Sequence, residues 1–199
     1  MKNIVFDLGG VLFARDKSKC TPELLEFFSF LRAPRMPLFW EEYDRGTSTL
    51  EEVTATISGM TGRPVETCAA VLRLAVDLQE PVKPTERLVG DLKAAGYRLY
   101  VLSNMSREFI DFLRRFPVYG LFDGEVVSCE EHTVKPEPRI YEILLERYGL
   151  TPSETLFIDD REMNIEAAAL GIHGFVFDHR DPDAACDALR RRLLQSDCI

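Results

Sequence analysis

A chain of 199 residues, 46% of them hydrophobic and 29% charged, is long enough for one ordinary domain or for a core with a modest insertion, and can bury a sizeable core. Its 24 Lys and Arg against 33 Asp and Glu give a net charge of −9, which argues against nucleic acid and anionic membrane as partners but not against a phosphate ester held in a local positive site. The longest apolar stretches, such as Leu99–Leu102 and Ile172–Phe177, fall far short of the roughly 18–20 residues that span a bilayer.

Asn3–Phe6 reads as a first strand ending at Asp7. The opening does not read as a signal peptide, because an acid interrupts the apolar run too early. Residues 14–82 then read as all-helical, over Pro22–Leu31, Pro37–Asp44, Leu50–Ser58 and Pro64–Val76, with capping-box spacing in Ser48-Thr49-Leu50-Glu51. Within them Phe39, Trp40, Tyr43 and Arg45 suit either packing or closure over a substrate. The run Leu24, Leu25, Phe27, Phe28, Phe30 and Leu31 is apolar nearly all round and suits burial against the core or another subunit.

Pro84 to Ala95 carries an apolar stripe and stops at Gly96. A second core strand, Arg98–Leu102, ends at Ser103-Asn104, and a helix from Ser106 follows with Phe109, Ile110 and Leu113 on one face. Gly124–Val127 reads as a strand and Glu137–Tyr148 as a helix stopped by Gly149. Thr151-Pro152-Ser153-Glu154 has the spacing of a cap on a short turn. Thr155–Ile158 is a strand ending at Asp159-Asp160, Arg161–Leu170 a helix closed by Gly171, His173–Phe177 a strand, and Asp181-Pro182 opens a helix to about Leu194. Apolar runs without strict alternation are typical of parallel strands buried on both faces. The fold expected is therefore α/β: a Rossmann-like parallel sheet with helices on both faces, formed by residues 1–13 and 83–199, with residues 14–82 inserted as a helical cap. Cys20, Cys68, Cys129, Cys186 and Cys198 are odd in number and form no Cys-x-x-Cys pair. That argues against a disulfide framework or a zinc site and fits a cytoplasmic location.

Polar clusters gather where the predicted strands end, the edge at which open parallel sheets bind ligands. Asp7-Leu8-Gly9-Gly10-Val11-Leu12, Leu102-Ser103-Asn104, Lys135-Pro136 and Phe157-Ile158-Asp159-Asp160 with Asn164 resemble, in order and spacing, the four motifs of haloacid-dehalogenase-like hydrolases. Ser128 and Glu130 before Lys135, and the helical insertion after the first motif, fit that family's smaller cap type. The resemblance implies a magnesium-dependent phosphatase acting on a small phosphorylated metabolite. Asp7 would be the nucleophile, forming an aspartyl-phosphate. Ser103 and Asn104 would hold the phosphoryl group, and Lys135 would neutralise shared charge. Asp7, the Gly9 carbonyl and Asp160 would ligate Mg2+, with Asp159 and Asn164 behind them orienting water, Lys135 or loop backbone.

One position departs from the family pattern. Most such phosphatases carry Asp two residues after the nucleophile as general acid and base, and here that residue is Gly9. The Asp-x-Gly form resembles sugar-phosphate phosphatases. It also leaves open a weak or non-catalytic relative that binds phosphate or a protein, or a haloacid dehalogenase, whose halide leaves without a proton. His132 is close enough to Lys135 in sequence to be considered as a substitute acid, whereas His173 reads as structural or exposed.

Overall fold

The computed structural model describes residues 1–32, 36–168 and 171–195, without the side chains of residues 17, 31, 32 and 167. In chain order the elements are β1 (Asn3–Phe6), β2 (Phe13–Arg15), α1 (Pro22–Phe27), α2 (Leu38–Arg45), α3 (Leu50–Thr61), α4 (Val65–Asp77), β3 (Gln79–Pro81), α5 (Lys83–Ala94), β4 (Arg98–Ser103), α6 (Arg107–Leu113), β5 (Gly124–Val127), α7 (Ser128–Glu131), α8 (Pro138–Tyr148), β6 (Thr155–Asp159), α9 (Glu162–Ala167), β7 (His173–Val176) and α10 (Pro182–Leu194). Five strands form a parallel sheet in the order β5-β4-β1-β6-β7. The first strand lies at its centre, with Val5 paired to Tyr100 on one side and Phe157 on the other.

Both faces of the sheet are buried, which explains the unbroken apolar strands. Ile4, Phe6, Leu99, Val101 and Ile158 pack on one face with Leu88 and Leu92 of α5 and Leu189 of α10. Val5, Tyr100, Leu102, Val126 and Phe157 pack on the other with Ile140, Tyr141 and Leu144 of α8. Alternate residues of a strand point to opposite faces, so each strand contributes to both layers.

The chain leaves and re-enters the sheet through a two-stranded antiparallel ribbon, Phe13–Arg15 against Gln79–Pro81, which the sequence reading did not foresee. At three residues each, and with Pro and Gln in β3, these strands carry too little pattern to be read. The helices between them bury their own cluster, with Leu24, Phe27, Phe28, Trp40, Tyr43, Val53, Ile57 and Leu72 at its centre. Phe109 of α6 joins that cluster from the sheet side. The apolar run at Leu24 to Leu31 is thus satisfied within the chain at Leu24, Phe27 and Phe28, while Leu25 remains exposed; the side chain of Leu31 is outside those described. The Trp40 ring lies between those of Phe30 at 5.2 Å, Tyr43 at 5.5 Å and Phe28 at 5.9 Å.

Local signals were mostly legible, with shifts. The capping box sits one residue later than its spacing suggested: Thr49 Oγ1 accepts from Glu52 N–H, and Glu52 accepts from Thr49 N–H at 2.8 Å. The first helix ends at Phe27 and gives way to a tighter turn. The helix expected over Arg161–Leu170 runs Glu162–Ala167, and its last expected residues, 169 and 170, lie outside those described, as does Cys198. Among the described residues, no helix is long and apolar enough to cross a membrane.

Two substitutions on one helix should separate packing from exposure. Trp40→Ala should cost about 3–5 kcal/mol in urea unfolding, the usual range for emptying a large aromatic site. Leu38→Ala, at a side chain 68% exposed, should change stability by no more than about 0.5 kcal/mol.

Candidate active site

The C-terminal edge of the sheet collects the polar residues singled out above. Asp7 follows β1, Ser103 ends β4 and Asp159 ends β6. Lys135 arrives on the loop after α7, joined to Pro136 by a cis peptide bond. Directly after Asp7 the chain turns tightly around one carbonyl: Val11, Leu12 and Phe13 all donate N–H to Leu8 O. This turn needs Gly10, whose φ is 78° and where a Cβ would stand 2.5 Å from Asp160 Oδ2.

Lys135 is at the centre of the geometry. Its ammonium is 3.0 Å from Asp7 Oδ1 and 2.6 Å from Asp159 Oδ2. It also donates to Leu102 O at 3.0 Å. Three acceptors thus meet the three donors of an ammonium that is 1% exposed. Burial works against its charge, but Asp159 and Asp7 more than offset this and hold the ammonium above its usual range. Asn104 positions the same residue through its main chain. Its carboxamide donates to Lys135 O at 2.8 Å and accepts from Lys135 N–H at 2.7 Å.

Ser103 Oγ donates to Asp7 Oδ1 at 2.7 Å. Burial pushes the Asp7 carboxyl up to about 7; Lys135 opposes this, the charges of Asp159 and Asp160 reinforce it, and the Ser103 bond opposes it. Asp160 is raised to about 6, by burial and then by the charge of Asp159. Asp159 has little left to offer. Besides Lys135, it accepts from Arg161 N–H at 2.8 Å and from Asn164 Nδ2 at 3.1 and 3.0 Å on its two oxygens.

Carboxylate oxygens of Asp7, Asp159 and Asp160 lie within 4.8 Å of one another. Hard oxygens with no nitrogen or sulfur among them are the donor set that Mg2+ takes. With Asp159 saturated by Lys135, Asn164 and the Arg161 N–H, the carboxylates left to face a cation are Asp7 and Asp160. The residues present therefore fit a magnesium ion.

These groups floor a cavity of about 590 Å³. Its lining combines Asp7, Gly9, Asn104, Lys135, Asp160, Arg161 and Asn164 with the apolar side chains of Phe13, Phe28, Met36, Trp40, Met105 and Phe109. Three residues near the site were not singled out from sequence. Asp44, from the last turn of α2, lines the cavity, as does Arg161. His179 Nδ1 lies 3.4 Å from Asp160 Oδ2. None sits in a motif; Arg161 alone carried a hint, as the neighbour of an acid pair. Of the two histidines considered, His132 Nδ1 contacts Arg45 O at 3.2 Å and His173 Nε2 contacts Ser153 O at 3.1 Å. Neither lines the cavity.

Known proteins resemble this chain over almost all its length. A sesquiterpene phosphatase of Aspergillus oryzae is 29% identical over 192 residues, 96% of this chain and 95% of that protein. A D-ribitol-5-phosphate phosphatase of Bacteroides thetaiotaomicron is 28% identical, covering 83% of this chain and 85% of that one. The solved structure of a haloacid dehalogenase (HAD) family enzyme from the same bacterium, in complex with magnesium and inorganic phosphate, superposes with a TM-score of 0.68 at 27% identity, over 90% of this chain and 95% of that chain. The family model of haloacid dehalogenase-like hydrolases matches residues 1–171. With a parallel sheet of that architecture as its core, the chain belongs to the haloacid dehalogenase-like hydrolases.

Proposed function

We propose that this hydrolase is a magnesium-dependent phosphatase that cleaves a small phosphate monoester through an aspartyl-phosphate on Asp7. The observation that carries the reading is the buried ammonium of Lys135 set 3.0 Å from Asp7 Oδ1 at the floor of a cavity. A carboxylate nucleophile facing a doubly charged phosphate needs a fixed positive charge between them. Asp7 and Asp160 would hold Mg2+, with the Gly9 carbonyl as a further ligand. Once bound, the ion neutralises phosphate charge and favours the ionised form of its carboxylates. Ser103 holds one Asp7 oxygen by its hydroxyl, which orients the carboxylate, while Asn104 and Asp159 fix Lys135 from two sides. Asn164 keeps Asp159 from turning toward the cavity by bonding both its oxygens. The Asn104 carboxamide is spent on the Lys135 main chain and the Ser103 hydroxyl on Asp7, so phosphoryl binding by this loop falls to its backbone N–H groups.

Residues 14–82 act in this reading as a cap whose aromatic face closes the cavity and excludes water. The wall of Phe13, Phe28, Met36, Trp40, Met105 and Phe109 supports an organic group with a substantial apolar surface. Similarity to a sesquiterpene phosphatase supports the same choice. A sugar or polyol phosphate is the second reading, supported by Arg15, Glu41 and Gln79 on the same cavity and by similarity to a ribitol-phosphate phosphatase.

Mg2+-dependent release of phosphate should be abolished in Asp7→Asn with the thermal melt retained, and by exhaustive chelation of the wild type. Turnover of a 2-haloacid that survives chelation would overturn the reading in favour of a dehalogenase. A panel of prenyl, alkyl, aryl and sugar monophosphates should rank by kcat/KM with the apolar esters first; the reverse ranking would select the second reading. Lys135→Ala should lose activity and also about 3–5 kcal/mol of stability in urea unfolding, because it strips Asp159 of its buried counter-ion.

A further inference from the structure

The reading above leaves a proton without a carrier. An alkoxide leaving group needs protonation, and the later attack by water needs a base, yet position 9 is glycine. The groups that line the cavity narrow the choice. Glu41 is tied to Arg45 Nη2 at 2.8 Å. Asp160 belongs to the cation's donor set, and Lys135 is saturated with acceptors. Neither His132 nor His179 lines the cavity.

Asp44 differs from all of these. It lies on the cavity wall with Asp7, Asn104 and Lys135, and among the described residues no ion pair ties up its carboxylate. The Ser106 backbone N–H approaches it, and Arg161, Asp7 and Lys135 act on it through their charges. Arg15, Glu41 and Asp160 complete the charged lining of the cavity, and the charge of Asp44 acts on Tyr43 and Cys129 as well. Its backbone is clamped to the sheet side of the molecule. Ser128 Oγ donates to Asp44 O. His132 Nδ1 contacts Arg45 O, and the Arg45 guanidinium grips both oxygens of Glu137, at 2.9 and 2.7 Å. Gly46 closes the helix at φ 74°, so near to α7 that a Cβ would stand 2.4 Å from Cys129 O. These contacts run to the loop that carries Lys135, so Asp44 is registered against the nucleophile and not merely hung on a mobile insertion.

We propose that Asp44, supplied from α2, is the general acid and base of the phosphatase reaction, in place of the acid missing at Gly9; the assignment rests on the phosphatase reading. As Asp7 attacks phosphorus, the bond from phosphorus to the ester oxygen breaks, and that oxygen takes the Asp44 carboxyl proton and leaves as the alcohol. The resulting Asp44 carboxylate then takes a proton from water as the water oxygen attacks the aspartyl-phosphate. The phosphorus–Asp7 bond breaks, its electron pair returns to Asp7, inorganic phosphate departs and Asp44 is protonated again. Burial holds Asp44 up to about 7, with Arg161 opposing and the charge of Asp7 reinforcing, so both its forms are accessible near neutrality.

The test compares hexyl phosphate with p-nitrophenyl phosphate, whose leaving group needs no proton, at saturating Mg2+. Asp44→Asn should lower kcat/KM for hexyl phosphate by about 10^2–10^4. It should retain the single-turnover burst of nitrophenolate within about tenfold, and accumulate phosphoenzyme. Adding Gly9→Asp should recover at least about tenfold on hexyl phosphate, since a Cβ there meets only Met105 Cε, at 3.9 Å. In the wild type, kcat/KM for hexyl phosphate should fall as pH rises through the Asp44 ionisation, because the donor must be protonated, while the nitrophenolate burst should not fall; this readout stands even if the variant does not fold. Equal losses on both substrates, or none on hexyl phosphate, would overturn Asp44 alone and leave the phosphatase reading in place. A wild type inert on every monophosphate with Mg2+ would overturn both.

Discussion

A single buried ammonium organises the edge of this sheet. Lys135 Nζ sits between Asp7 and Asp159, two carboxylates that would repel each other if both were ionised without it. Burying a charge is tolerable only when it is paired and all its hydrogen bonds are made. The protein meets that demand with residues from four separate stretches of chain: Asp7 after β1, Leu102 and Asn104 at the end of β4, Lys135 beyond β5, and Asp159 at the end of β6. Because the ammonium has no spare donor, its neighbours are fixed as well. Asp159 turns inward toward Lys135 and Asn164, and Asp160 remains to face the cavity.

The same economy extends to the insertion. A helical excursion that begins and ends in a three-residue ribbon would be free to swing if nothing else held it. Here the end of α2 is fastened to the loop bearing Lys135 by Ser128, His132 and Glu137, and Phe109 of α6 is shared with the aromatic cluster around Trp40. The fastened insertion contributes both apolar groups (Phe28, Met36 and Trp40) and charged ones (Arg15, Glu41 and Asp44) to the cavity that Asp7, Lys135 and Asp160 line from the sheet.

Much of this was legible before any coordinates. Asn3–Phe6, Arg98–Leu102 and Thr155–Ile158 read as strands because a sheet covered on both faces needs apolar side chains at every position. Asp7, Ser103, Asn104, Lys135, Asp159, Asp160 and Asn164 could be grouped because a parallel sheet brings all its strand ends to one edge. What was misjudged is local and short. The capping box slipped by a residue because Ser48 and Thr49 are both good caps, each followed three residues later by Glu, and only the observed bonds distinguish them. Phe13–Arg15 and Gln79–Pro81 are three residues each, too short for a side-chain pattern to announce them.

Sequence by itself determined the order of the parallel strands along the chain, the edge at which the polar clusters gather and the absence of an acid at Gly9, since each follows from residues adjacent in the chain or from one repeated pattern. Only the tertiary structure decided that Asp159 is bound to Lys135 while Asp160 lines the cavity, that Asn104 serves the main chain of Lys135, and that Asp44 shares a cavity with Asp7. Those facts depend on how distant segments approach one another across the mouth of the sheet. That approach is set by packing of the insertion against α6 and α7, between residues far apart in the chain.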